Sequence, residues 1–303
     1  VTTFPRLVLA VGSTFIPLVA VAGLAFALIS RRTLLSILGV FLVTATIAIQ
    51  VQWYYLGNPT HAPDSIELRM LSSNLRKGRA DATEFVGLAT SGADVVTVAE
   101  LTPEAVQRLN DAGMAAAFPY ALLNPIPLGP QSSGGVGIWS RYPLSPVSAP
   151  RHRNVTMPAA WVKLPELDFK PLVASVHIMS PVAGDENTVD DWRYGMAGAK
   201  AKLDNYATAA GPAAVIIGGD FNSTPDMRQF RDLLTDGYHD AIEQLGAGFA
   251  PTFKADSWLP PVITIDHILT RNAAVSAIRT VTIKGSDHRA LLATVRVPVD
   301  AEP

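Results

Sequence analysis

Two uninterrupted apolar runs open the chain, Leu7 to Ile29 and Leu34 to Leu56, and beyond residue 57 the pattern breaks into short apolar stretches between polar turns. Each run is about 23 residues, or about 35 Å as helix, enough to cross a hydrocarbon core. They predict two transmembrane helices within residues 1–57, at about 7–29 and 34–56. Gly12 and Pro17 inside the first run are compatible with this, because membrane helices tolerate both. A signal peptide would be one shorter run, not two joined by four residues. Residues 58–65, with Pro59 and Pro63, read as a linker, and residues 66–303 as one further domain.

In that domain strand and helix signals interleave. Ile66 to Ser72 alternates apolar and polar, Asp94 to Ala99 is rich in β-branched residues, and Gly135 to Ser140, Ala159 to Leu164, Leu172 to His177, Ala213 to Gly218, Ile263 to Leu269 and Leu291 to Val297 continue the strand pattern. Helices are predicted over Ala82 to Thr90 with Asp81 as N-cap, after Thr102-Pro103, over Asp190 to Ala209, and after Thr224-Pro225. Many strand links are too short for helical crossovers, which favours antiparallel or mixed sheets with helices on the outer faces.

Charge divides the chain in the same place. The only charges before residue 57 are Arg6, Arg31 and Arg32, so the rest carries 21 of the 24 basic residues against all 26 acidic ones, a formal charge of −5. That mild acidity does not favour a partner gripped through many phosphates. The four-residue connection holds Arg31 and Arg32, which by the positive-inside tendency lies in the cytoplasm. The domain after residue 57 is then expected outside the cytoplasm, at the cell membrane, with Trp53, Tyr54 and Tyr55 as an aromatic belt. An outward N-terminus and Val1 lead to the expectation of a preceding segment. The chain has no cysteine, which removes disulfides and thiolate chemistry.

Polar residues collect where strands end. Asn74 follows the first soluble strand, Glu100 ends the second, His177 ends another, Asp220 and Asn222 follow Val215 to Gly219, Asp266 lies in Ile263 to Ile268, and Asp287 and His288 precede the last strand. Taken singly, each has a plain structural reading: a solvated carboxylate, an Asx turn, a surface imidazole. Together, the strings SSNLR (72–76), VVTVAEL (95–101), ASVHI (174–178), IIGGDFNSTPD (216–226), ITIDHIL (263–269) and SDHRAL (286–291) resemble the endonuclease/exonuclease/phosphatase superfamily, over about residues 66 to 297.

The resemblance implies a four-layer α/β/β/α sandwich, two mixed sheets flanked by helices, with a site where loops from both sheets meet. It implies metal-assisted hydrolysis of a phosphoester, with Mg2+ as the cation and Mn2+ or Ca2+ as alternatives. In that pattern Asn74, Glu100 and Asp287 match the metal-proximal residues. Asp220 matches the carboxylate that orients or deprotonates water, and Asn222 the amide that holds a phosphate oxygen. His288, with Asp266 as its partner, matches a phosphate-contacting or acid/base histidine, and His177 a second one. His267 follows Asp266 on a strand and should face the other way. His152 and His239 carry no motif.

The substrate is less legible. Apolar loops at Asn124 to Ser133 and Ala250 to Pro261, with Phe253 and Trp258 as an apolar rim and Trp192-Arg193 after the His177 strand, suit a lipid-linked or envelope phosphodiester beside the bilayer. A nuclease on DNA or RNA is the alternative, served by Arg76, Lys77, Arg79, Arg141, Arg151 and Arg153. A non-catalytic membrane protein binding a phosphorylated ligand is a third reading.

Overall fold

The structure, a computed structural model, describes residues 4–58, 64–129, 132, 134–148, 155–165, 167–182 and 188–300. Its elements in chain order are α1 (Phe4–Ser13), α2 (Ile16–Ile29), α3 (Thr33–Tyr54), β1 (Ser65–Asn74), α4 (Ala82–Gly92), β2 (Val95–Leu101), α5 (Pro103–Asp111), α6 (Met114–Ala117), β3 (Tyr120–Asn124), β4 (Gly135–Ser140) and β5 (Leu144–Val147). There follow β6 (Val155–Thr156), β7 (Ala159–Val162), β8 (Leu172–Ile178), α7 (Thr188–Ala210), β9 (Val215–Asp220), α8 (Arg228–Arg231), β10 (His239–Asp240), α9 (Ala241–Leu245), β11 (Asp266–Arg271), β12 (Ala274–Thr282) and β13 (Arg289–Pro298).

The strands form two mixed sheets, in the orders β12-β13-β1-β2-β4-β3 and β10-β11-β9-β8-β7-β5. Among the described residues, only β1–β2 and β8–β9 are parallel. Three apolar clusters show how the layers stack. Leu68, Met70, Val95, Val173, Ile216 and Ile268 join the two sheets face to face. Phe85, Leu109 and Trp139 pack α4 and α5 on the first sheet, and Trp192, Leu203 and Tyr206 of α7 cover the second. The result is an α/β sandwich of two sheets with helices on both outer faces. Two caps follow the sequence signals. The Asp81 carboxylate accepts the Glu84 N–H at 2.9 Å, and the Thr102 hydroxyl accepts the Ala105 N–H at 3.1 Å.

The structure corrects the sequence reading at four places. The first apolar run is not one helix: α1 and α2 meet at a bend of 71°. Pro17 lacks an N–H and its ring conflicts with the carbonyl four residues back, so it begins α2 instead of sitting inside a longer helix. Among the described residues, α3 alone is long and apolar enough to cross a membrane, while α1 and α2 reach that length only as a bent pair. α1 turns onto the domain: Leu7 is buried, and Ala10 and Val11, one turn on, join the cluster under α7.

The second correction is at Thr224-Pro225, which forms a turn; the short helix starts later, at Arg228, with no side-chain cap. The third is Tyr54, which is buried against Phe249 instead of standing in an exposed belt, while Tyr55 is exposed. The fourth concerns Trp192, which follows the His177 strand and counts among the substrate features in sequence but is fully buried in α7. Of the expected linker, residues 59–63 lie outside the described residues, as do Arg151, His152 and Arg153.

Candidate active site

Asp220 ends β9, and two glycines put it there. A side chain on Gly219 would come within 2.0 Å of the Val176 carbonyl oxygen on the neighbouring strand. One on Gly218 would come within 2.5 Å of the Thr97 hydroxyl in the facing sheet. Both clashes are with groups that cannot move aside easily, so the two sheets close under the site only with glycine at these positions.

Sheet register then does much of the assembly. His177 pairs with Asp220 across β8–β9, and Asp266 pairs with Asp220 across β9–β11, so three functional side chains share one level of the second sheet. Asn74 and Glu100 come from the ends of the parallel strands β1 and β2 in the first sheet, and Asp287 and His288 immediately precede β13, which pairs with β1. A direct bond links the sheets: Asn74 Nδ2 donates to Asp220 Oδ2 at 2.9 Å. Asp220 Oδ1 accepts the Asn222 N–H at 2.8 Å.

Local strain marks the same place. Among the described residues, seven non-glycine residues have positive φ, and four of them, Arg76, Lys77, Glu100 and Asn222, belong to the site loops. Such conformations cost roughly 1–3 kcal/mol each and persist where surroundings over-determine them. Glu100 sits at a register shift between Ala99 and Leu101, and its Oε2 accepts the Lys77 N–H at 2.6 Å. Asn222 Nδ2 donates to the Ile178 carbonyl at 2.9 Å, and its own carbonyl accepts the buried Trp192 indole N–H at 3.1 Å.

The two histidines differ in their electrostatics. Burial opposes charge on His288, but Asp266, Asp220 and Asp287 outweigh it and raise the ring to about 10. Asp266 Oδ2 meets His288 Nδ1 at 2.8 Å, and the Ser286 hydroxyl accepts the His288 N–H at 3.0 Å. Burial instead holds His177 below its ordinary value, against the pull of Asp220. Its Nε2 lies 3.9 Å from both Glu100 Oε1 and Asp220 Oδ2. Asp220 is pushed up to about 6, by burial first and then by Asp266, against the lowering effect of both histidines. Burial also raises Glu100, opposed by hydrogen bonds from Asn74 and the Lys77 N–H.

All eight residues singled out in the sequence therefore line one region, with Asp287 joined through the contact of its Oδ1 with His288 Nε2 at 4.0 Å. Three residues outside that set also contribute. Arg76 forms ion pairs with Asp256 at 2.7 Å and Asp287 at 3.7 Å. Ser286 donates to the Asn74 carbonyl at 2.8 Å as well as supporting His288. Phe253 lays its ring 4.9 Å from that of His288. Ser286 lies within the SDH string, but the conformation of Arg76 and the reach of loop 253–262 leave no local trace in sequence.

Four carboxylates gather here around two imidazoles, with Arg76 as the adjoining cation. An oxygen-rich donor set of this kind fits a hard divalent cation. Among the described residues, Asp220, Asp266 and His288 bring potential ligand atoms within 4.8 Å of one another. Asp266 and His288 are already bonded to each other, whereas the expected metal set was Asn74, Glu100 and Asp287.

Residues 55–288 match the model of the Endonuclease/Exonuclease/phosphatase family. The chain belongs to this family. Among curated proteins none matches the sequence. Similar solved structures include humanized TDP2 of D. rerio, with TM-score 0.58 and 20% identity over 76% of this chain and 98% of that one. Others are the endonuclease/exonuclease/phosphatase of Beutenbergia cavernae DSM 12333 (TM-score 0.57, 18% identity, 77% and 72% covered) and sphingomyelinase C of Streptomyces griseocarneus (0.51, 18%, 76% and 99%). At these identities the likeness is one of fold. With its family membership and its buried Asp/Asp/His cluster, the chain is a metal-dependent phosphoesterase.

Proposed function

We propose that this protein is a membrane-anchored phosphodiesterase, using Mg2+, that hydrolyses a lipid-linked or envelope phosphodiester with its catalytic domain outside the cytoplasm. The observation that carries this reading is how near the apolar helices come to the site. Asp226 Oδ2 accepts the Thr14 hydroxyl at 2.5 Å, four residues after Asn222. Phe249 packs edge-on against Phe15 and Tyr54, four residues before Phe253, which covers His288. Four residues reach at most about 14 Å. Two separate segments thus tie the anchor to the rim of the site.

The rim itself is apolar. Trp258 is 91% exposed and Leu259 half exposed, on a loop whose Asp256 pairs with Arg76 and whose Ala255 N–H bonds the Asp287 carbonyl at 2.6 Å. An exposed tryptophan on this rim suits a bilayer interface. Of the basic residues that would serve a polyanion, Arg76 and Lys77 belong to the site loops. Arg141 donates to the Ala93 and Thr90 carbonyls, at the end of β2 remote from Glu100, and Arg76 is engaged by two carboxylates.

In this reading Glu100, Asp287 and Asn74 would hold the cation, because Asp266 and His288 are committed to each other. When bound, the cation offsets charge on the phosphoryl and leaving oxygens. Asp220, held by the Asn74 amide and the Asn222 N–H, takes the proton of the attacking water; a carboxylate raised to about 6 is a stronger base than an ordinary aspartate. Asn222 has a second amide hydrogen for a phosphate oxygen. His288, kept charged and oriented by Asp266, contacts the phosphate, and His177 gives its ring proton to the leaving oxygen, the proton that Asp220 took from water replacing it over the 3.9 Å between them.

The test is a substrate panel on the full chain in detergent and in vesicles. Bis(p-nitrophenyl) phosphate should turn over with Mg2+ and stop with EDTA, and vesicle phosphodiesters should be preferred over phosphomonoesters and oligonucleotides. Oligonucleotide cleavage that collapses with salt, without lipid hydrolysis, would replace this reading with a nuclease. Folded protein with no turnover on any ester would leave a phospholigand-binding protein.

A further inference from the structure

The bend between α1 and α2 opens a cleft of about 300 Å3 between the apolar helices and the catalytic domain, lined by none of the carboxylate–histidine cluster. Its two ends differ in chemistry. Ile16, Pro17, Thr46 and Ile49 of α2 and α3 make one wall, continuous with the exposed apolar surface of those helices. Asp226 and Arg231, from the turn after Asn222 and from α8, make the other. A volume of this size is at the low end for ligand sites, roughly 300–1,000 Å3. It holds a head group and the first carbons of a chain, while the remainder of that chain would run along α3.

The polar end is held in place by contacts across the junction. Asp226 Oδ2 takes the Thr14 hydroxyl at 2.5 Å and the Tyr54 hydroxyl at 3.3 Å, and Gln50 Nε2 donates to the Thr14 carbonyl at 2.5 Å. Arg231 Nη1 donates to the Pro225 and Asp226 carbonyls at 3.0 and 2.7 Å, which fixes the guanidinium and leaves its other nitrogen edge for an anion. One carboxylate and one guanidinium, side by side at the mouth of an apolar wall, complement a zwitterionic head group.

From this we infer that the junction cleft binds one glycerophospholipid with a primary-amine head group, phosphate on Arg231 and ammonium on Asp226, as a lipid held and not hydrolysed. The assignment rests on the membrane-anchored reading, since the wall belongs to the helices assigned to the bilayer. A primary ammonium brings N–H donors to Asp226, whereas a trimethylammonium has none. The preference should therefore be about tenfold, the value of one charge-assisted hydrogen bond.

The experiment is native mass spectrometry of the full chain after reconstitution into vesicles of equal phosphatidylethanolamine and phosphatidylcholine and mild detergent extraction. The wild type should retain one phosphatidylethanolamine. Ile49→Trp, which fills the apolar wall, should lose it, Arg231→Ala should weaken retention of both lipids alike, and Asp226→Ala should lose the head-group preference; circular dichroism shows that the variants are folded. No retained lipid in the wild type, equal retention in Ile49→Trp, or no preference for the amine head would overturn the inference. An alkaline carbonate wash of the same vesicles separates the two readings. Protein that stays in the membrane without a retained lipid sinks only the cleft; protein that washes off sinks the anchor as well.

Discussion

Asp266 and His267 are neighbours on β11, and each belongs to a histidine–aspartate pair, yet the pairs do opposite work. Asp266 holds His288 Nδ1 at 2.8 Å, and the other ring nitrogen faces Asp220 and Asp287 at 4.0 Å each, too far for hydrogen bonds and open to a substrate atom. Asp240 holds His267 Nδ1 at 2.6 Å, and the other nitrogen donates to the Ser223 carbonyl at 2.9 Å. That ring is fully buried against Phe221 and Phe230, and Asp240 also caps α9 through the Ile242 and Glu243 N–H groups. Strand alternation sends the two residues to opposite faces. A histidine–aspartate pair is reactive only where the second ring nitrogen has no partner of its own; where it has one, the pair is a clamp.

The sharpest way to break this comparison is to remove each ring in turn. His288→Ala should lower kcat/KM on a soluble diester by at least about 10²-fold, as should Glu100→Ala and Asp220→Ala, measured on protein that circular dichroism shows to be folded. Wild-type turnover in folded His288→Ala would end the assignment. His267→Ala should show the reverse. It leaves Asp240 buried without its partner and should cost about 3 kcal/mol or more in denaturant unfolding, while the folded fraction keeps turnover within about tenfold of wild type. A hundredfold loss of turnover at unchanged stability would make the clamp part of the chemistry.

The smallest effect is in pH. His288 rises from 6.5 to about 10 on folding, so its contribution to stability is fully present below pH 6.5 and is lost as pH rises through about 10. The melting temperature of the metal-free protein in EDTA should fall across that window, and His288→Gln should flatten the fall. An unchanged slope in His288→Gln would show that Asp266 does not hold the charge on this ring.

Much of the site was legible in the chain because its residues stand at strand ends, where a local apolar run and the polar residue closing it are both visible. Asn74, Glu100, His177 and Asp220 follow such runs, and the two glycines before Asp220 appear in the string itself. The caps at Asp81 and Thr102 were legible for the same reason: a cap bonds to a residue three positions on. Thr224 carried the same local signal and did not cap a helix; it is buried at the mouth of the junction, and the chain turns through Pro225 and Asp226 toward Thr14. The two-sheet order also needed the whole chain, since β12 and β13 join β1 from more than 200 residues away.

Local order along the chain determined which residues are reactive in kind, because strand period, glycine position and residue type are properties of neighbours in sequence. Only the tertiary structure decided which of them act, because that depends on what lies across space. His288 and His267 carry the same ring, and their difference is made by Asp220 and Asp287 around one and the Ser223 carbonyl beside the other. The same holds for the first apolar run. Its composition reads as one long helix, and the contacts of Leu7 with the α7 cluster and of Thr14 with Asp226, more than 200 residues distant, accompany the bend that brings it onto the domain.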